Sequence, residues 1–290
     1  MKLHTLSVPQ NVQRSRLFAW VKRMLPDVPE YALREAFQKK DVKMDGKRVG
    51  LDAMLVPGTE VRIYTRDLIA KAVEIPLIYE DENVLVAVKP AGISCETDAK
   101  GGKTLAQFLH AQMKQKDESA TEPLLCHRLD NPTEGLIVLA KNEKVQLLLQ
   151  DALRNRQIHK EYTCIVRGTP EPSHKVLSHW LYKDAKQSRV RVMPQERPGA
   201  KSIVTEYTVL EKGEKCRLRI NPHTGRTHQI RAHMAFIGHP LLGDDQYGDR
   251  DFNRYHKCRK LMLCSTCLRF ELEGGLSYLN GKTFTCKPSF

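Results

Sequence analysis

The chain has 290 residues, 41% of them hydrophobic, which suits one large core or two domains and excludes a disordered basic tail. Its 47 Lys and Arg against 34 Asp and Glu give a net charge of +13, and the pI is near 9.4. That excess favours a polyanionic partner, nucleic acid ahead of an acidic membrane surface. No apolar run approaches the ~20 residues of a membrane span. The N-terminus lacks an apolar signal-peptide core, so the protein is expected in the cytoplasm.

In chain order, Leu17, Trp20, Val21, Met24 and Leu25 recur at helical spacing, with Ser15 placed to cap the helix. Pro26 and Pro29 end it, and Pro29 suits the first turn of a second helix from Glu30 to about Lys39, with Leu33, Ala36 and Phe37 inward. Val42–Val49 follows, where Asp45-Gly46 is a tight-hairpin signal. Pro57-Gly58 then turns into a strand from Glu60 to Tyr64. Lys39, Lys40, Lys43, Lys47 and Arg48 gather around the second helix and the hairpin; a solvated charged face would account for them equally well.

A linker precedes a second unit that starts near Ile75-Pro76. The run 83–88 is a buried strand leading into the turn Lys89-Pro90-Ala91-Gly92. Leu105, Phe108, Leu109 and Met113 mark a helix. Val145, Leu148, Leu149, Ala152 and Leu153 mark another, capped by Asn142. Beyond it the pattern has period two. Tyr162 shares a face with Cys164 and Val166, and arginines alternate with apolar residues at 189–192 and 216–220, as in a one-sided antiparallel sheet. Asn280-Gly281 is expected to close a hairpin between 276–279 and 283–286.

Two stretches carry chemistry. In Cys126–Gly135 a polar turn lies between an apolar run and a strand, and Asp130 precedes Asn131-Pro132. A turn former explains such an Asp; a carboxylate held on a fixed bend also suits a nucleophile or general base. In Ile220–Met234 a Gly-containing turn leads into a helix expected to start near Thr227. There Arg226 would add charge to an anion-binding N-terminus, and His228 and Arg231 would share a face. Cys264-Ser265-Thr266-Cys267 lies in a strand and lacks the second pair that a zinc ribbon needs, so no metal is expected and the eight cysteines are expected to be reduced and mostly buried.

The N-terminal order resembles the small S-four-type RNA-binding domain, whose hairpin pattern appears here as Val42 to Val49; the resemblance implies that the basic helix and hairpin cradle RNA. His127-Arg128-Leu129-Asp130 with Thr133, Gly135 and Leu136 resembles the signature of the RluA-type pseudouridine synthases. Lys89-Pro90-Ala91-Gly92, Lys160-Glu161-Tyr162, Thr224–His233 and the run Gly238-His239-Pro240, Gly243-Asp244, Tyr247-Gly248 match that family's other blocks in order. The chain departs from the pattern at Asn131 and Glu134, and at Leu263-Cys264-Ser265 where Leu-His-Ala is usual.

The resemblance implies an α+β chain. An N-terminal α/β RNA-binding domain is expected over 1–66, a linker over 67–75, and a mainly antiparallel mixed sheet with flanking helices over 76–290. It implies isomerisation of uridine in RNA, large-subunit ribosomal RNA before transfer RNA, by a protein acting as a monomer. No cofactor is expected, since nothing is oxidised and no atom is added. Asp130 would be the essential carboxylate, Arg231 its cationic partner, and Tyr162 the aromatic against the uracil. Arg128, Arg226 and His228 would join the N-terminal cations in holding RNA. Arg231→Met is expected to cripple turnover without unfolding the chain. A catalytically silent RNA-binding protein and a nucleoside hydrolase are the alternatives; the latter normally needs a second carboxylate, and only Glu134 is near in sequence.

Overall fold

The computed structural model describes residues 2–13, 15–25, 28, 30–65, 74–96, 103–184 and 189–290. Contacts divide the chain into two units, Met1–Glu74 with Glu96–Thr104, and Ile75–Cys95 with Leu105–Phe290. Pro26, Pro29 and residues 67–73 of the expected linker fall outside the described residues.

The first unit contains β1 (Lys2–Ser7), α1 (Leu17–Met24), α2 (Glu30–Gln38), β2 (Val42–Met44), β3 (Lys47–Arg48) and β4 (Glu60–Thr65). Its antiparallel sheet has the order β1-β4-β2-β3. Leu17, Trp20 and Val21 of α1 and Leu33, Ala36 and Phe37 of α2 share a core with Val42, Val61 and Ile63 of the sheet. Asp45 (φ 46°) and Gly46 (φ 80°) both take positive φ, the hairpin geometry that Asp-Gly favours. Met24 is 48% exposed rather than inward. Ser15 does not cap α1. The capping position is Arg16, which is bridged to Met54, while the Ser15 carbonyl accepts from Leu55 N–H. Strand β1 has no sequence signal because it pairs only with β4 and buries none of Leu3–Ser7, which leaves no apolar alternation to read.

The second unit runs β5 (Leu77–Glu80), β6 (Val84–Lys89), α3 (Leu105–Met113), β7 (Leu124–Leu125), β8 (Glu134–Ala140), α4 (Glu143–Arg154), β9 (Ile158–Arg167), β10 (His174–Asp184), β11 (Arg189–Met193), β12 (Lys201–Glu211), β13 (Lys215–Pro222), α5 (Gln229–Phe236), α6 (Arg250–Tyr255), β14 (Leu263–Phe270) and β15 (Thr283–Thr285). The sheet order is β11-β10-β12-β13-β9-β14-β8-β6-β5, with β7 on β8 and β15 on β14. Every pairing is antiparallel except β14 with β8. The chain is therefore α+β with an antiparallel-dominated mixed sheet.

The two halves of this sheet follow different patterns for a physical reason. Strand β8 is buried along its whole length, because Ile137 and Leu139 enter one core while Leu136, Val138 and Ala140 enter another on the opposite face. A strand covered on both sides reads as a continuous apolar run. Strands β9 and β13 are covered on one side only. Tyr162, Cys164 and Val166, and Cys216, Leu218 and Ile220, join the first core while the residues between them stay partly exposed. The halves meet at the parallel seam, through Cys264–Glu134 and Ser265–Gly135. Gly135 (φ 113°) is needed there, since a Cβ would lie 2.3 Å from the Ser265 carbonyl oxygen.

Asn142 caps α4 as expected, its side chain accepting from Val145 N–H at 3.0 Å, although Leu148 stays largely exposed. The expected final hairpin is not formed. Residues 274–279 are a 3₁₀ helix, and β15 pairs with β14 instead. The 3₁₀ turns kink at Leu276 (φ −119°), and both Leu276 and Leu279 are buried. Cys264 is buried with its Sγ 3.9 Å from that of Cys286, and among the described residues no group of His, Cys, Asp and Glu is placed to hold a metal.

Candidate active site

Asp130 sits on the loop between β7 and β8, closed by a bond from Thr133 N–H to the Asp130 carbonyl (3.0 Å). The next carbonyl, Asn131, accepts from Gly92 N–H (2.8 Å) and from Lys89 Nζ (3.1 Å). Lys89 was read from sequence as part of a turn. It ends β6 instead, wholly buried, and also donates to the Pro90 (3.1 Å) and Ile93 (2.8 Å) carbonyls. Burial pulls its pKa down to about 8, against the opposing charges of Cys95, Asp130 and Glu134. His127 accepts from Val138 N–H through Nε2 (3.2 Å). Burial, with Lys160 nearby, drives its pKa to about 3, so it holds the loop to β8 as a neutral ring.

The second wall is the 222–231 segment, and Gln229 organises it. The Gln229 carbonyl oxygen accepts from Thr224 Oγ1 (2.8 Å) and Arg226 N–H (3.0 Å), while its amide donates to the Val204 carbonyl (3.1 Å) and Thr205 Oγ1 (3.0 Å). The helix therefore starts at Gln229, two residues later than the sequence suggested. His228 precedes it with φ 53° and so does not lie on the helix with Arg231. The Arg226 amide is used internally, which corrects the simple picture of a helix end open to an anion. Tyr247 Oη accepts from Val190 N–H (3.0 Å) and shares a hydrogen bond with His228 Nδ1 (3.0 Å).

Arg231 is 3% exposed and its Nη1 lies 3.5 Å from Asp130 Oδ2. Its closest grip is elsewhere. Nε and Nη2 bind the two oxygens of Asp244 at 2.7 and 2.8 Å, and Nη2 reaches Asp245 at 3.3 Å. Burial opposes charge on Arg231, but the bonds and charge of Asp244 outweigh it and raise its pKa. Burial likewise opposes charge on Asp244; Arg231 and the amides of Gln246 and Tyr247 reverse that and lower its pKa. The guanidinium also stacks 5.3 Å from the Tyr247 ring centroid. Asp130 is thus beside a fixed cation without being clamped by it, and its carboxylate remains 17% exposed toward the cavity.

That cavity has a volume of ≈ 260 Å³ and is lined by Arg128, Asp130, Thr133, Lys160, Tyr162, Arg226, His228 and Arg231, among others. Of the predicted site residues in this unit, all six, Arg128, Asp130, Tyr162, Arg226, His228 and Arg231, come together there. Arg128 and Arg226 are exposed at its wall. Tyr162 is buried, and burial with the Asp130 charge raises its pKa, so it presents a protonated phenol and a flat ring. Burial also lowers the His228 pKa, with Asp130 opposing. Lys89, Gln229, Asp244 and Tyr247 had no site role in the sequence reading. All four did fall in matched blocks, the signal that could have drawn attention to them.

The remaining predicted residues belong to the first unit. Lys39 pairs with Glu35, Lys40 lies in the turn after α2 with φ 57°, and Lys47 and Arg48 are exposed on the hairpin. Lys43 lies directly opposite Arg48 on one side and Arg62 on the other, with its Nζ 5.7 Å from the Tyr64 ring centroid. This row of cations, Arg62 included, was not visible in the sequence because it is made by strand register.

Residues 83–236 match the protein family described as RNA pseudouridylate synthase. Over 287 residues the chain is 31% identical to "Ribosomal large subunit pseudouridine synthase C" of Vibrio vulnificus, covering 93% of this chain and 89% of that one. The protein of the same name from Escherichia coli is 31% identical over 253 residues, covering 82% and 78%. Among solved structures, "Human RNA Pseudouridylate Synthase Domain Containing 4" superposes with a TM-score of 0.61 at 25% identity, over 76% of this chain and 91% of that one. "Human RNA Pseudouridylate Synthase Domain Containing 1" gives 0.57 at 23% identity, over 75% and 92%, a likeness of fold.

Proposed function

The chain belongs to the RluA-type RNA pseudouridine synthases, and we propose that it isomerises specific uridines in large-subunit ribosomal RNA, ahead of transfer RNA. The words "ribosomal large subunit" in the names of the two bacterial relatives support that choice of RNA. The observation that carries the chemistry is the carboxylate of Asp130 at 3.5 Å from a buried guanidinium, in a cavity shared with Tyr162.

In this reading the target uridine leaves its stack, at a cost of about a few kcal/mol, and enters the cavity. Asp130 either adds to the sugar or takes the proton at its 2-prime carbon; both steps need an ionised carboxylate. Arg231 faces that carboxylate at 3.5 Å, and Asp244 keeps Arg231 in place without using up Asp130. The glycosidic bond opens, the uracil turns against the Tyr162 ring, and the base rejoins through carbon 5 as the sugar–Asp130 bond breaks or, in the other route, as the 2-prime proton is returned; the carbon 5 proton then leaves and the freed N1 takes up one in its place. Because the phenol is held protonated, it can move the carbon 5 proton only by giving up its own as it accepts one. Arg128, Arg226 and His228 hold the backbone around the flipped nucleotide. In the first unit, Lys43 lies in register between Arg48 and Arg62, and although Glu60 pairs with Arg62, the row keeps a net positive charge that a polyanion lying across it would meet. That supports an RNA-binding role for this S-four-like unit.

The test is pseudouridine mapping of total RNA from cells with and without the protein. Loss of discrete sites in large-subunit ribosomal RNA is expected. Loss confined to transfer RNA would overturn the choice of RNA, and an unchanged map would overturn the activity.

A further inference from the structure

Strand β9 has an open edge beside the site. Its pairing with β13 ends at Tyr162–Ile220, because β13 breaks away at Asn221-Pro222, so residues 158–161 pair only with β14. A second cavity of ≈ 500 Å³ follows that edge, and it shares Lys160, Pro222, Thr224 and Gly225 with the active-site cavity. Lys160 therefore stands where the two meet, two residues from Tyr162 along β9. A Cβ at position 225 would lie 3.6 Å from its Nζ, so Gly225 leaves that space open.

The other charged side chains of this groove are matched. Glu206 pairs with His223, Arg269 with Glu271, His159 with Glu271, and Glu161 with Arg219. Lys160 and Arg156 have no ion pair or side-chain hydrogen bond among the described residues. Burial lowers the Lys160 pKa. A half-buried ammonium without a counterion destabilises the free protein, and an anionic ligand would remove that penalty. No nucleobase offers a full negative charge; a phosphodiester does.

Resting on the RNA reading above, we propose that Lys160 binds the phosphodiester next to the flipped nucleotide and that the groove along the open edge of β9, past Arg156, carries the adjoining RNA strand. The site would then read backbone rather than sequence on that side.

The test uses the full chain carrying Asp130→Asn, so that binding is measured without turnover, and a short oligouridylate as probe. Adding Lys160→Met is expected to weaken binding by about tenfold and to shallow the log–log salt dependence by about 0.7, the increment for one phosphate on a single strand. Lys160→Arg restores both. The Lys160→Met loss disappears on an oligonucleotide with neutral methylphosphonate linkages, and without RNA that variant melts no lower than its parent. Arg156→Gln gives a smaller loss in the same direction. An unchanged salt slope for either neutral variant, or a loss that persists on the neutral backbone, overturns the proposal. The outcome is separable from the activity. A protein that makes pseudouridine normally with Lys160→Met refutes this contact alone, while Lys160-dependent binding by an inactive wild type refutes the reaction alone.

Discussion

The two units handle positive charge in opposite ways. In the first, Lys43, Arg48 and Arg62 stand in register on an accessible surface, where water and salt screen them. In the second, Arg231 is buried among Asp244, Asp245 and Asp130, and its geometry is set by bonds of 2.7 and 2.8 Å. The first arrangement suits a partner that slides and is recognised by charge; the second suits a reaction that needs one atom in one place. Substitutions should separate the two clearly.

The largest effect belongs to Asp130→Asn. Product formation should fall by about 10²- to 10⁴-fold, with melting temperature and RNA affinity near wild type. Appreciable pseudouridine from this variant would end the catalytic assignment.

Arg231→Met comes next, and here the structure corrects the expectation of an intact fold. The Asp244 side chain is fully buried, so removing its partner should cost about 3–5 kcal/mol of stability as well as about 10²-fold or more in turnover. Adding Asp244→Asn should return most of the stability, measured by denaturant titration, and none of the turnover. Recovery of both would mean that Arg231 acts only as a structural counterion.

The third effect is a sensitivity to acid. His233 is wholly buried between His179 Nδ1 and Thr205 Oγ1, each at 2.9 Å, and burial lowers its pKa to about 4. An unfolded histidine takes up its proton near 6.5, so between there and about 4 protons bind the unfolded chain in preference. Stability should therefore fall as pH drops through that window, by on the order of 3 kcal/mol from His233. His127, held to about 3, adds to it. A His233→Gln variant should show a flatter dependence of melting temperature on pH; an unchanged slope would exclude His233 as its source.

The smallest effects fall in the first unit. Lys43→Gln and Arg48→Gln should each weaken RNA binding by roughly threefold and reduce the salt slope by about one phosphate's worth. Relief of like charge should leave melting temperatures equal or slightly higher. A loss that salt does not modulate would point to packing instead.

Local chemistry was legible before any coordinates. Asp45-Gly46 demanded positive φ at both residues, Asn142 offered a cap, β8 and β9 carried the patterns of doubly and singly covered strands, and the block around Asp130 marked the family. These signals need only neighbours in the chain, because turn dihedrals, caps and periodicity are short-range properties. They failed where burial was absent, as in β1, or where another element took the partner, as when β14 captured β15 and left 276–279 in 3₁₀ turns. What only the tertiary structure decided lies between residues far apart in sequence. Lys89 reaches the carbonyl of Asn131, Arg231 gives its fork to Asp244 and only one corner to Asp130, and Gly135 faces Ser265 too closely for any Cβ. Even the family departures at Glu134 and Cys264 prove to be register partners across the seam. Such contacts follow from how strands align and where β13 leaves β9. That alignment comes from packing over the whole sheet rather than from any local stretch.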